Sequence, residues 1–82
     1  MRTVWKFPVR LGDNVIEGPG LDSILHVDVQ GGRPVAWATV ETDRPLNTAT
    51  LVISGTGHTA PAGRYVNSFF EGPFVWHAWQ VA

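Results

Sequence analysis

Alternation of apolar and polar residues with a period of two is the feature that most constrains how this chain folds. Successive side chains of a β-strand point to opposite faces, so the pattern gives each strand one face for a core. Gly, Pro, Asp and Asn interrupt the alternation about every eight to twelve residues, as turns between short strands do. The sequence therefore predicts an all-β fold, a small antiparallel sandwich or meander of about six strands with little or no helix.

The strands are predicted to form one domain that spans residues 1–82, because no polar linker or composition shift divides the chain. Their predicted bounds are residues 3–9, 14–17, 23–30, 33–40, 48–54 and 73–81. The segment 62–70 is ambiguous. Its Tyr65, Phe69 and Phe70 fit a short helical turn as well as a strand, although its length favours a short strand or an irregular excursion.

The clearest hairpin turns at Gly31 and Gly32, a pair that supplies the positive φ angles of a primed two-residue turn. Pairing Gln30 with Arg33 then fixes both faces of the hairpin. The core face is predicted to hold Val29, Val27 and Leu25 opposite Pro34, Ala36 and Ala38. The other face is predicted to hold Asp28, His26 and Ile24 opposite Val35, Trp37 and Thr39. That second face mixes apolar and polar groups, which predicts that a partner subunit covers it.

Self-association is also predicted from what this small chain lacks. It has no cysteine, so disulfides and thiolate metal sites are excluded as sources of stability. Four Trp, four Phe and one Tyr are many large rings for 82 residues to bury. We therefore expect a homo-oligomer.

Charge and hydropathy exclude two classes of partner. A formal net charge of −1 provides no basic field to attract duplex nucleic acid. No apolar run approaches the ~20 residues that span a bilayer, and the first residues contain no continuous apolar segment of a leader. The prediction is a cytoplasmic protein.

The glycine-rich loop after the fifth predicted strand is the first candidate binding element. It contains Thr56, Gly57 and His58, and successive backbone N–H groups in such a loop can form a nest for an anion. The spacing matches no nucleotide-binding phosphate loop. The alternative is a plain glycine-rich connection between strands.

The last predicted strand is the second candidate element. Alternation places Phe74, Trp76 and Ala78 on one side and Val75, His77 and Trp79 on the other. Packing inside a sandwich or at a subunit contact explains a strand that is apolar on both sides. The alternative is that Trp76 or Trp79 stacks on a flat base or ring while His77 donates a hydrogen bond to a phosphate or carbonyl.

No catalytic or metal-binding constellation is evident. His26, His58 and His77 do not have ligand spacing, apart from the pair of His26 and Asp28 on one strand face, which is typical of a surface contact. The carboxylates are scattered, mostly at turns. We predict neither an enzyme nor a cofactor, and a hydrolase that uses His58 or His77 is the least favoured alternative.

Three motifs together carry a family resemblance: a Trp-Lys-Phe opening from Trp5, a Gly-Thr-Gly-His loop that ends at His58, and a Val-Trp-His ending at His77. In this combination the chain resembles a family of small uncharacterised proteins encoded mainly by bacteriophages and prophages. The resemblance spans nearly the whole chain. It implies a phage accessory protein that acts in the host cytoplasm, and it implies no specific activity.

The resulting hypothesis is a homo-oligomeric binding protein that sequesters a small phosphorylated or nucleotide-like ligand, in the manner of an anti-defence sponge. Its pocket is predicted to be lined by Thr56, Gly57, His58, Trp76 and His77. The alternative is a protein-interaction module that inhibits a host protein through an exposed aromatic face or a free strand edge.

Overall fold

The computed structural model describes residues 1–81 and contains seven β-strands and no helix among them. The strands are β1 (Arg2–Pro8), β2 (Gly12–Pro19), β3 (Ile24–Gln30), β4 (Arg33–Glu41), β5 (Leu46–Gly55), β6 (Arg64–Glu71) and β7 (Phe74–Val81). The predicted all-β antiparallel fold is confirmed, and the ambiguous segment 62–70 contributes the seventh strand, β6. Within the described residues, no helix is long and apolar enough to cross a membrane.

Two antiparallel sheets enclose the core. One has three strands in the order β1-β4-β3, and the other has four in the order β2-β5-β7-β6. Alternate residues of each strand face the opposite sheet, which explains the period-two pattern of the sequence. The largest of the fully buried side chains are Ile24, Val27, Val40, Leu51 and Ile53.

The β3–β4 hairpin follows the predicted register from the Gln30–Arg33 pair as far as the His26–Trp37 pair. The register then shifts between Ile24 and His26, where β3 contains a bulge. An extra residue moves the following side chain to the other face. Ile24 therefore pairs with Ala38 and is fully buried, whereas Leu25 is 48% exposed. The predicted placement of Leu25 in the core and of Ile24 on the opposite face is wrong.

Edges of the two sheets meet where β3 runs beside β6, and an amide side chain joins them. Asn67 of β6 accepts a hydrogen bond from the Val27 N–H at 2.8 Å and donates one to the Val27 carbonyl at 2.8 Å. A neighbouring strand would make the same pair of bonds with its backbone. Val27 is completely buried, so Asn67 supplies partners that water cannot.

Two further side chains extend this pairing along the edge of β3. Gln80 Oε1 accepts a hydrogen bond from the Ile24 N–H at 2.9 Å, and Arg64 donates to the Ile24 carbonyl at 2.8 Å. Arg64 also donates to Gln80 Oε1 at 2.7 Å, which holds the two side chains together. Polar residues at positions that face the core thus satisfy the backbone of β3 next to its bulge.

Replacing Asn67 tests this closure. Asn67→Ala leaves the buried N–H and C=O of Val27 without partners, and each unsatisfied group costs about 1–3 kcal/mol. We expect a clear loss in the free energy of unfolding, measured by urea denaturation. Asn67→Asp should be less damaging at low pH, where the neutral carboxyl group can accept from the N–H and donate to the carbonyl, than at neutral pH, where a carboxylate would face the carbonyl oxygen without a proton to donate. Equal stability of Asn67→Ala and the parent would contradict the assignment.

Candidate functional site

A cavity of about 610 Å³ lies where β5 ends and the β6–β7 hairpin turns, and we call it the end cavity. It is lined by Gly55, Thr56, His58, Pro73, Phe74, Val75 and Trp76. Two aromatic rings and an imidazole are therefore gathered around one space, and none of these lining residues is Lys, Arg, Asp or Glu. Small-molecule sites are commonly concave and apolar, with a few polar groups.

Gly55 allows two of these rings to approach the backbone closely. A Cβ atom at this position would lie 3.2 Å from His58 Nδ1 and 3.4 Å from Trp76 Cζ3. The His58 N–H donates to the Gly55 carbonyl at 3.1 Å and closes the turn, with Gly57 at a φ of 88°. The turn therefore folds the imidazole back over the end of β5, next to the indole of Trp76.

A line of side-chain hydrogen bonds begins at the wall of this cavity and crosses onto the other side of the sheet. Thr56 Oγ1 lies 2.7 Å from His77 Nε2, and His77 Nδ1 lies 2.6 Å from Ser68 Oγ. Ser68 Oγ lies 2.6 Å from the Tyr65 hydroxyl oxygen. We call these four side chains the relay.

A single backbone carbonyl sets the direction of every proton in the relay. Thr56 donates its hydroxyl proton to the Val75 carbonyl, which can only accept. Thr56 Oγ1 must then accept from His77 Nε2–H. In the neutral imidazole, Nδ1 then accepts from the Ser68 hydroxyl, and Ser68 accepts from the Tyr65 hydroxyl. The tautomer that this arrangement favours carries its proton on Nε2.

Three of the five residues predicted for the binding pocket line the end cavity: Thr56, His58 and Trp76. Gly57 shapes the turn and does not line the cavity, while His77 lies on the opposite face of β7 within the relay. The His58 N–H is already bonded to Gly55, so it is not available for the predicted anion nest.

Sequence reasoning missed Tyr65 and Ser68, although a signal for Ser68 is present. A two-residue turn after Glu71 pairs it with Phe74, and counting back along that register places Ser68 opposite His77. Tyr65 is harder to place, because the register shifts between Tyr65 and Asn67. That bulge brings Tyr65 to the same face as Ser68.

The relay lies on the side of the four-stranded sheet that faces away from the core, which we call the outer face. Its other side chains include Val15, Val52, Phe70, Val75 and Trp79. Val15 is 73% exposed, Phe70 71% and Tyr65 49%. Tyr65 packs edge-on against Trp79 with ring centroids 5.3 Å apart. The outer face thus presents aromatic and aliphatic groups around a polar line.

The remaining histidine lies apart from both features. His26 is on the three-stranded sheet, with Nε2 3.7 Å from an Asp28 carboxylate oxygen and both side chains about half exposed. Within residues 1–81, no group of three or more His, Cys, Asp or Glu side chains is arranged to hold a metal ion. His26 and Asp28 form the surface contact that their spacing predicted.

The sequence matches, over residues 1–82, the model of a family described as a domain of unknown function, DUF7352. No curated protein and no solved structure matches the chain significantly.

The proton arrangement of the relay can be measured directly. At about pH 8.5, where an ordinary imidazole is neutral, we expect long-range ¹H–¹⁵N correlations of His77 to show the Nε2–H form. Thr56→Val removes the acceptor of that proton and should shift the population toward Nδ1–H. His58 in the same spectra serves as the internal control. A mixture of both forms in the unmodified protein would contradict the relay.

Proposed function

We propose that this chain, which belongs to the DUF7352 family, is a binding protein that holds a small planar ring compound in the end cavity and acts as a homo-oligomer. The observation that carries the proposal is the gathering of Trp76, Phe74 and His58 around one space of about 610 Å³. Aromatic rings stack on flat compounds whatever their exact substitution.

Polar groups at the end cavity support a heterocycle rather than a plain hydrocarbon. The imidazole of His58 offers a hydrogen bond beside the rings. The indole N–H of Trp76 is buried without a hydrogen-bond partner, a cost that proteins usually avoid. We propose that an acceptor atom on the bound compound serves this donor. A nucleobase has both a flat ring and such acceptors.

The absence of lysine and arginine from the lining narrows the ligand class. A phosphate group bound here would meet no fixed cation except a protonated His58. The cavity therefore suits the base or nucleoside portion of a nucleotide-like ligand. We propose a phage accessory role in which the compound is sequestered, on the resemblance to phage and prophage proteins.

A second copy of this chain is the proposed cover for the outer face. Four strands about 4.8 Å apart and about eight residues long present a plan area of about 500 Å². Its apolar side chains cover part of this area around the polar relay, and the largest apolar patch of a monomer is often functional. Val15 and Phe70 lie on this face, and a chain this small gains stability by burying them. In the competing function, a host protein binds to the outer face and covers it.

Ligand binding is tested by isothermal titration calorimetry with adenosine, guanosine and their monophosphates. Trp76→Leu should abolish stacking, and His58→Ala should weaken binding by about 1–3 kcal/mol, the range for losing a buried polar partner. Gly55→Ala should also weaken binding, since its Cβ would push against both rings.

Trp5→Leu is the matched control, because Trp5 is partly exposed on β1 and does not line the end cavity. It should bind as the parent does. No binding of any nucleoside or monophosphate to the parent protein would overturn the proposal for this ligand class. Equal affinity of parent, Trp76→Leu and His58→Ala would place the ligand elsewhere.

The oligomer is tested by native mass spectrometry and light scattering. Substituting Phe70→Ser and Val15→Ser together should convert the parent oligomer to a monomer while the β-sheet spectrum persists. Val4→Ser is the control, since Val4 is 48% exposed on β1 of the three-stranded sheet and does not lie on the outer face. A monomeric parent would leave the outer face to a host protein and favour the competing function.

A further inference from the structure

A second cavity, of about 550 Å³, lies at the other end of β5 from the end cavity. Leu46 and Asn47, which begin β5, help to line it, whereas Gly55 at the end of that strand lines the end cavity. A strand rises about 3.3 Å per residue, so about 30 Å separates the two spaces. They cannot be parts of one small-molecule site.

Backbone donors in the wall of this second cavity are already used within the protein. The Gly20 N–H donates to the Pro45 carbonyl at 2.8 Å, and the Asp22 N–H donates to the Thr39 carbonyl at 3.1 Å. The Arg44 N–H donates to the Glu41 carbonyl at 3.0 Å. Recognition of a ligand here must therefore come from side chains.

Two arginines, Arg2 and Arg44, line the cavity, which we call the arginine cavity. Across residues 1–81, neither side chain makes an ion pair or a hydrogen bond. Arg64 shows the contrast, since it donates to the Ile24 carbonyl and to Gln80. A guanidinium group without a partner can donate two parallel hydrogen bonds to the oxygens of a carboxylate or a phosphate, and two such arginines line this one cavity.

Carboxylates near the cavity are partly neutralised by another cation. The ammonium group of Met1 lies 2.7 Å from Glu41 and 3.7 Å from Asp43. The hydrogen bond with Glu41 is the main cause that raises the pKa of this ammonium group, so it holds its charge at neutral pH. A hydrogen bond with Glu41 also lowers the pKa of Asp43. Apart from Glu41, Asp22 is the one carboxylate that lines the cavity, and two arginines line it as well.

We propose that the arginine cavity is an anion-binding site, in which Arg2 and Arg44 together hold the carboxylate or phosphate group of a small compound. The side chain of Asp22 opposes that anion and limits the affinity. The site is separate from the end cavity in position and in chemistry, so it does not depend on the proposed ring compound.

The test is an NMR titration of the ¹⁵N-labelled protein with inorganic phosphate and, separately, with citrate, at ionic strength held constant with sodium chloride. We expect saturable shifts of the amides of residues 20–22, 41–44, 46 and 47, with those around Gly55 unaffected. Phosphate represents a phosphate group and citrate represents carboxylate groups. The anion that binds more tightly therefore shows which of the two groups the cavity prefers.

Charge variants assign the shifts to this site. Arg2→Gln and Arg44→Gln should each weaken binding about tenfold or more, since each removes charged hydrogen bonds. Asp22→Asn should tighten binding severalfold by removing a repelling charge. Arg33→Gln, at the tip of the β3–β4 hairpin and outside both cavities, is the matched control and should bind as the parent does.

The variants also distinguish binding at a specific site from nonspecific electrostatic attraction of anions. Equal weakening by Arg33→Gln and Arg44→Gln would overturn the proposal, as would shifts that sodium chloride alone reproduces. An absence of saturable shifts with both anions would overturn it as well. Because Arg2 and Arg44 have no partners to lose, their variants should unfold at the parent's temperature, which the same samples can confirm.

Discussion

Much of this structure depends on the pairing of the Asn67 amide with the backbone of Val27. It joins the edges of two sheets that would otherwise leave a buried N–H and C=O without partners. A side chain can do this because it needs only one residue of β6 to approach β3. The next residue along β6 is Ser68, and alternation then sends it to the outer face, where it meets His77. The closure of the sandwich and the position of the relay are thus consequences of the same strand placement.

Bulges on both sides of this contact explain where period-two reasoning succeeds and where it fails. The hairpin at Gly31 and Gly32 was predictable, because turn chemistry and alternation determine the register locally. Beyond His26 the prediction fails, since β3 takes an extra residue next to the edge contact. Nothing local in the sequence marks that bulge. It arises from tertiary pairing, in which Gln80 and Arg64 hold the backbone of Ile24 from another sheet.

The candidate site shows the same division between local and distant information. Alternation alone places Trp76 and His77 on opposite faces of β7, and the glycine-rich loop made His58 a candidate binding residue. Their distribution between a cavity and a relay could not be read from spacing, because it depends on which face meets the other sheet. The relay also needs Tyr65, which a bulge brings into line. The placement of these residues was therefore settled by tertiary pairing, which their spacing in the sequence does not show.

Strand β5 places two kinds of binding chemistry at its two ends. The end cavity has rings and a single imidazole without fixed charge, while the cavity at Arg2 and Arg44 has fixed positive charge and no ring. The base and phosphate of one nucleotide are far closer together than the ~30 Å between these cavities. One nucleotide therefore cannot use both cavities of the same copy. The two proposals therefore call for a separate compound in each cavity, unless oligomerisation brings the end cavity of one copy beside the arginines of another.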